Sequence, residues 1–233
     1  MQNGVKRIGM VVAVEIEAVL EKYGEKLESV PAVGFEVSLF RADKYELFIV
    51  KSGAGEIASA SACQFLISEF KVEMVVNFGV VGGLTPEMAV AKLAVVTDVV
   101  HYDFDVSEYI GNRKAQYANY PSVYIPASKE LVSAALAAEP SLKSVICASG
   151  DKFIADPKKK WALHEEYGAD ICEMEAAGIV LTCNRNNVPC LLIKAVSDSM
   201  GGGAEEFHRE FERCALICLE TLDKVIAAAS MTR

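Results

Sequence analysis

The segment Ala169-Asp170-Ile171-Cys172-Glu173-Met174-Glu175-Ala176-Ala177 sets two carboxylates around one methionine, where an apolar run gives way to a helix-forming one. Further along, Lys194-Ala195-Val196-Ser197-Asp198-Ser199 places an acid at the end of the run Pro189-Cys190-Leu191-Leu192-Ile193, which reads as a buried strand. Near the start, Glu15 and Glu17 follow the apolar run from Ile8 to Val14. Each cluster alone has a plain structural reading. First-turn acids stabilise a helix N-terminus, and a Ser-Asp pair serves as an N-cap. Together they place carboxylates at three strand ends, where α/β proteins bind ligands. Cleavage of an N-glycosidic bond uses such a set. Its oxocarbenium-like transition state needs an acid to protonate the leaving base, a carboxylate to hold the sugar hydroxyls, and a carboxylate to take a proton from water. Burial is expected to keep the acid protonated near neutral pH.

Two glycine-bearing segments follow apolar runs, Lys51-Ser52-Gly53-Ala54-Gly55-Glu56 and Phe78-Gly79-Val80-Val81-Gly82-Gly83-Leu84. Both read as turns that bring backbone close to a ligand. Neither has the spacing of a dinucleotide fingerprint or of a P-loop. The segment from His101 to Pro121, with Tyr102, Phe104, Tyr109, Tyr117 and Tyr120, is long for a connection in a compact domain and rich in aromatic rings. Gly201-Gly202-Gly203 reads as a mobile loop that would lie over Asp198.

The elements that must position these groups follow from periodicity. Strands are predicted at 8–14, 35–40, 45–50, 74–78, 93–100, 145–148 and 190–196. Helices are predicted at 17–27, 57–70, 129–138, 158–167, 176–184 and 204–229. The alternation predicts a three-layer αβα architecture, and an antiparallel hairpin turning at Arg41-Ala42-Asp43-Lys44 makes the sheet mixed. The last helix carries an apolar stripe of Phe207, Phe211, Ala215, Cys218, Leu222 and Ile226. With no linker-like stretch, residues 1–233 read as one domain.

A hydrophobic content of 52% allows a large core and an apolar face for a second copy, so a homodimer is expected. A net charge of -9 disfavours nucleic acid, which needs clustered cations. The single basic run, Lys158-Lys159-Lys160, reads as a solvated helix start. Seven cysteines without zinc-type spacing read as small buried hydrophobes in a reducing cytoplasm. The N-terminal apolar run is followed at once by Glu15 and Glu17, so it reads as a first strand rather than an export signal. No run reaches the roughly 20 apolar residues that span a bilayer. No metal or cofactor is expected.

Read together, Lys51-Ser52-Gly53-Ala54-Gly55, Asn77-Phe78-Gly79-Val80-Val81-Gly82-Gly83-Leu84, Ser149-Gly150-Asp151-Lys152-Phe153-Ile154, Glu173-Met174-Glu175-Ala176 and Ala195-Val196-Ser197-Asp198 resemble the methylthioadenosine/S-adenosylhomocysteine nucleosidases, within the nucleoside phosphorylase superfamily. The resemblance runs along nearly the whole chain. It implies a nucleoside phosphorylase-like fold and hydrolysis of 5′-substituted adenine nucleosides. Asp198 would protonate N7 of the adenine, Ser197 would orient it, and Glu17 would be the base for the water. Glu175 would bind the ribose hydroxyls beside Met174, Glu173, Val80 and Gly82. Phe153 would stack on the adenine, with the backbone of Phe153 and Ile154 reading its edge. An apolar pocket for the 5′ substituent would draw on Val14, Ala54, Phe207 and His208, and on Tyr109 from a partner chain.

This sequence also departs from the family pattern. Val80 stands where a serine is usual, Lys194 where an arginine is usual, and Val90-Ala91-Lys92 where Val-Gly-Asp is usual. A lysine does not reproduce a planar bidentate contact. Two other functions stay open at this point. One is a nucleoside phosphorylase using inorganic phosphate, against which Val80 and Glu56 argue. The other is a nucleoside-binding protein with weak or no turnover.

Overall fold

The computed structural model describes residues 5–231. Residues 1–4 and 232–233, part of the expected single domain, lie outside the described residues. In chain order the elements are β1 (Lys6–Val12), α1 (Ile16–Tyr23), β2 (Glu28–Val30), β3 (Val37–Arg41), β4 (Tyr45–Lys51), α2 (Glu56–Phe70), β5 (Met74–Gly83) and β6 (Leu93–His101). They continue with α3 (Ser107–Ile110), β7 (Ile125–Pro126), α4 (Lys129–Ala138), β8 (Lys143–Ser149), α5 (Pro157–Tyr167), β9 (Ile171–Glu173), α6 (Ala176–Asn186), β10 (Cys190–Asp198) and α7 (Ala204–Met231).

The mixed sheet runs β10-β6-β8-β9-β5-β1-β4-β3-β2, and a further β10–β5 pairing closes its first five strands into a ring. β10 lies parallel to β5 and antiparallel to β6, and all nine of its residues are buried. A strand paired on both edges and covered on both faces has no polar side, which is why 190–196 is an almost unbroken apolar run. Helices α1, α4 and α7 pack together, and α2 packs on α6. The apolar stripe of α7 seats Cys214, Cys218, Leu222 and Ile226 in the core, while α7 contacts β10 and β5. All seven cysteines are buried free thiols.

The expected hairpin forms between β3 and β4, with Arg41 opposite Glu46. One expectation fails here. Phe78 to Gly83 is not a turn after a strand but the second half of β5, paired with β10 from Gly79 to Gly82 and with β9 at Gly82 and Gly83. Its glycines allow close approach rather than a bend. A Cβ at Gly79 would stand 2.9 Å from Glu15 Oε1, and one at Gly82 would stand 3.2 Å from Asp198 Oδ2. The basic run is likewise only partly solvated. Asp156 caps α5 by accepting from the Lys158 and Lys159 N–H groups, and those two side chains are exposed. Lys160 turns inward and is fully buried.

Candidate active site

The carboxyl ends of β1, β5, β9 and β10 surround a cavity of about 580 Å³. Asp198 is the last residue of β10, and a register shift between Val196 and Asp198 against β5 sets it opposite Gly82. Its Oδ1 accepts the Ser197 hydroxyl at 3.0 Å, and its Oδ2 accepts the Lys160 ammonium at 2.5 Å. Ser197 is buried beside Asp198 and does not line the cavity itself.

The base assignment needs correction. Glu17 is exposed on the first turn of α1 and is absent from the cavity wall. Residues two apart on a helix point roughly 160° away from each other, because each residue turns about 100°. Glu15, at the N-cap position, is the carboxylate that faces inward. It is buried, with Oε1 accepting Val80 N–H and Oε2 accepting Val14 N–H, both at 3.0 Å. Val80 therefore meets the acid through its backbone, which does not require a serine hydroxyl.

Glu173 and Glu175 lie on the same wall but are held differently. Glu173 accepts the N–H groups of Glu175 and Ala176, capping α6, and pairs with Lys194 at 3.1 Å. Burial raises the proton affinity of Glu173, but the Lys194 ammonium and the hydrogen bond from Ala176 N–H outweigh it and hold the carboxyl below its ordinary range. The charge of Glu173 in turn raises Lys194 against the opposing effect of burial. Glu175 makes no ion pair with Lys194 and feels that charge only at a distance. Burial first, and then the Glu173 charge, push it up to about 7. Gly55 N–H donates to Glu175 Oε1 at 2.9 Å, and Oε2 accepts no hydrogen bond from the described residues.

The SGD and SGAG motifs build the frame behind these acids. Asp151 Oδ1 accepts Glu56 N–H at the start of α2. Ser149 Oγ donates to Glu56 Oε1 and accepts Ala177 N–H. Glu56, read from sequence as a negative charge beside the first glycine turn that disfavours phosphate, is buried, and burial together with Glu173 pushes it up to about 8.

Met174, Val80, Gly82, Val14, Ala54, Phe207 and His208 all line the cavity. Phe153 stands half exposed at its edge, its ring meeting Phe207 edge-on at 5.2 Å. Ile154 is not on the main wall but lines a small adjoining pocket with Phe153, Met174 and Asp198. Tyr109, on α3, is 89% exposed and does not reach the cavity of its own chain. Sequence reasoning placed Glu15 in the right cluster but gave its role to Glu17, and it missed Lys160, Phe211 and Glu212 as parts of the site or its support. The spacing of Phe211 from Phe207 on α7 was the available signal for that one.

The family model of the Phosphorylase superfamily matches residues 7–230. The chain belongs to that superfamily. A 5′-methylthioadenosine/S-adenosylhomocysteine nucleosidase of Geobacillus thermodenitrificans is 34% identical over 203 residues, covering 84% of each chain. The aminodeoxyfutalosine nucleosidase of Campylobacter jejuni is 30% identical over 171 residues, covering 72% of this chain and 74% of its own. A crystal structure of the Helicobacter pylori 5′-methylthioadenosine/S-adenosylhomocysteine nucleosidase, in complex with a pyrrolidine compound bearing a 4-aminopyrrolopyrimidine, superposes with a TM-score of 0.90 at 26% identity. The match covers 96% of this chain and 99% of that one. Within this superfamily the mixed α/β architecture is the expected one, and no helix among the described residues is long and apolar enough to cross a membrane.

Proposed function

We propose that the chain hydrolyses the N-glycosidic bond of 5′-substituted adenine nucleosides, methylthioadenosine and S-adenosylhomocysteine among them, to adenine and the free ribose derivative. The observation that carries this reading is the convergence of Glu15, Glu175 and Asp198 on one cavity. As the C1′–N9 bond breaks, Asp198 delivers a proton to N7 and the electron pair leaves with the purine. Glu175 takes the ribose hydroxyls through its free Oε2, and Met174 packs against the sugar. Glu15, oriented by two backbone N–H groups, removes a proton from the water that adds to C1′. Phe153 and Phe207 form an aromatic wall for the base and the 5′ substituent. A homodimer, with the exposed Tyr109 turned towards the second subunit's cavity, and a cytoplasmic setting belong to the same proposal.

Phosphorolysis fits the cavity less well. Among the described residues its wall holds Glu15, Glu173, Glu175, Asp198 and Glu212 with His208 but no Arg, Lys, Ser or Thr, so an incoming phosphate would meet carboxylates in excess of charge-assisted donors. The test is product analysis. Pure protein is incubated with methylthioadenosine, S-adenosylhomocysteine and aminodeoxyfutalosine, with and without phosphate, and adenine is measured. Equal adenine release in both conditions is expected. Release that requires phosphate would replace hydrolysis by phosphorolysis, and nucleoside binding without release would leave a binding protein. The member of the panel turned over fastest identifies the preferred 5′ substituent.

A further inference from the structure

The proposed acid is not a lone carboxyl in an apolar wall. Lys160, reaching in from the first turn of α5, is fully buried, and its Nζ donates to Asp198 Oδ2 at 2.5 Å, to Ser199 O at 2.7 Å and to Asp198 O at 3.4 Å. The three donors of an ammonium are thereby matched to three acceptors at the end of β10. A buried lysine is costly unless it is paired, and the surrounding chain is shaped to keep this one. Gly82 leaves the space, since a Cβ there would stand 3.4 Å from Lys160 Cε and 3.2 Å from Asp198 Oδ2. Ser199 is fixed from the other side, its N–H and hydroxyl both donating to Glu206 of α7. The other ionisable groups near the pair are Cys172 and Glu173 of β9 and Lys152, which share a small pocket with Asp198, and Glu206 of α7. Lys160 is the single fully buried cation in contact with Asp198 among the described residues.

We propose that Lys160 is a positioning residue that acts through Asp198: its ammonium fixes the carboxyl group and supplies the proton that Asp198 passes to the departing purine. The inference rests on the nucleosidase reading above. The ammonium proton moves to the paired Asp198 carboxylate and that same proton passes on to N7 as the C1′–N9 electron pair leaves with the base, which leaves Asp198 ionised and Lys160 a neutral amine. Water adds to C1′ and gives its proton to Glu15. Neutral Lys160 regains a proton through solvent when Glu15 releases one, so charge and protons balance over the cycle. Aid of this kind matters only for a leaving group that must be protonated.

The experiment compares two substrates with the same 5-methylthioribose, one releasing adenine and one releasing p-nitrophenolate, which departs without a proton. In Lys160→Met, adenine release is expected to fall by about tenfold or more while nitrophenolate release holds near the parent rate, as loss of leaving-group protonation requires. Asp198→Asn should show the same selectivity, and Lys160→Met/Asp198→Asn should be no slower on adenine release than Asp198→Asn alone. A parallel fall in both rates, or unchanged adenine release, would assign Lys160 to structure only. Should Lys160→Met fail to fold, the comparison of Asp198→Asn with the double variant decides, because that variant leaves no unpaired charge; a further loss in it would overturn the proposal. A parent chain that releases no adenine overturns the underlying reading as well, whereas an active parent with an unaltered rate ratio in Lys160→Met overturns this inference alone.

Discussion

The carboxylates of this site are told apart by what holds them, not by their place in the sequence. Glu15 rests on backbone N–H groups, Glu173 on Lys194, Glu175 on Gly55, and Asp198 on Ser197 and Lys160. Glu15→Gln and Asp198→Asn are each expected to lower turnover by roughly 100-fold or more, as loss of a base or an acid does. Glu17→Gln should stay near the parent rate, because that side chain is exposed. Steady-state adenine release from the three variants checks this, and a Glu17→Gln enzyme as slow as Glu15→Gln would restore the sequence-based assignment. The sequence brought both glutamates to the right strand end. It could not choose between them, since the choice depends on which residue begins α1, and a shift of two positions turns a side chain from cavity to solvent. Lys160 was hidden for a related reason. Three consecutive lysines look alike in sequence, and only the angle of α5 aims one of them at Asp198.

At the scale of elements, long periodic segments were legible and short ones were not. α2, α4 and α7 fall close to their predicted spans, and so do β4 and β10. β9 has three residues and β7 two, too few for any period to register. The glycines of β5 imitate a turn in the sequence, although their small size serves the approach of Glu15 and Asp198 to the strand. The α2–α6 contact shows the same use of a missing side chain. A Cβ at Gly178 would stand 2.4 Å from Glu56 O and 2.7 Å from Ser59 Oγ, so the two helices must part to admit it. Gly178→Ala is expected to cost about 1 to 3 kcal/mol, the usual range for overpacking. The shift of the urea midpoint, read at unchanged slope, measures it. Because α6 begins at the Glu173-Met174-Glu175 segment, the KM for nucleoside should rise in the same variant.

For the whole molecule, the gathering of carboxylates at the strand ends makes stability depend on pH in an unusual direction. Glu56 is moved from an ordinary 4.5 to about 8, and Glu175 from 4.5 to about 7, by burial and by the charge of Glu173. Between the ordinary and shifted values the folded chain holds protons that the unfolded chain has released. Stability therefore falls as pH rises through that window. The contribution is complete below about 4.5, declines from there, and is gone above about 8. Carboxylates whose folded-state proton affinity is lowered act oppositely, but that effect is complete once their unfolded forms have ionised, well below neutrality, and His101, lowered from 6.5 by burial, opposes the trend only until its unfolded form has lost its proton, near neutrality. Between pH 6 and pH 9 the raised pair should dominate, and the melting temperature is expected to drop by about 4 °C or more for a chain of this size. Glu56→Gln keeps a group able to meet Ser149 and Gly178 but removes the titration, so its melting temperature should vary less over the same range. A parent melting temperature that is flat or rising from pH 6 to pH 9 would show that Glu56 and Glu175 are charged in the folded chain. The ribose-binding role of Glu175 would then have to be met by an ionised carboxylate throughout.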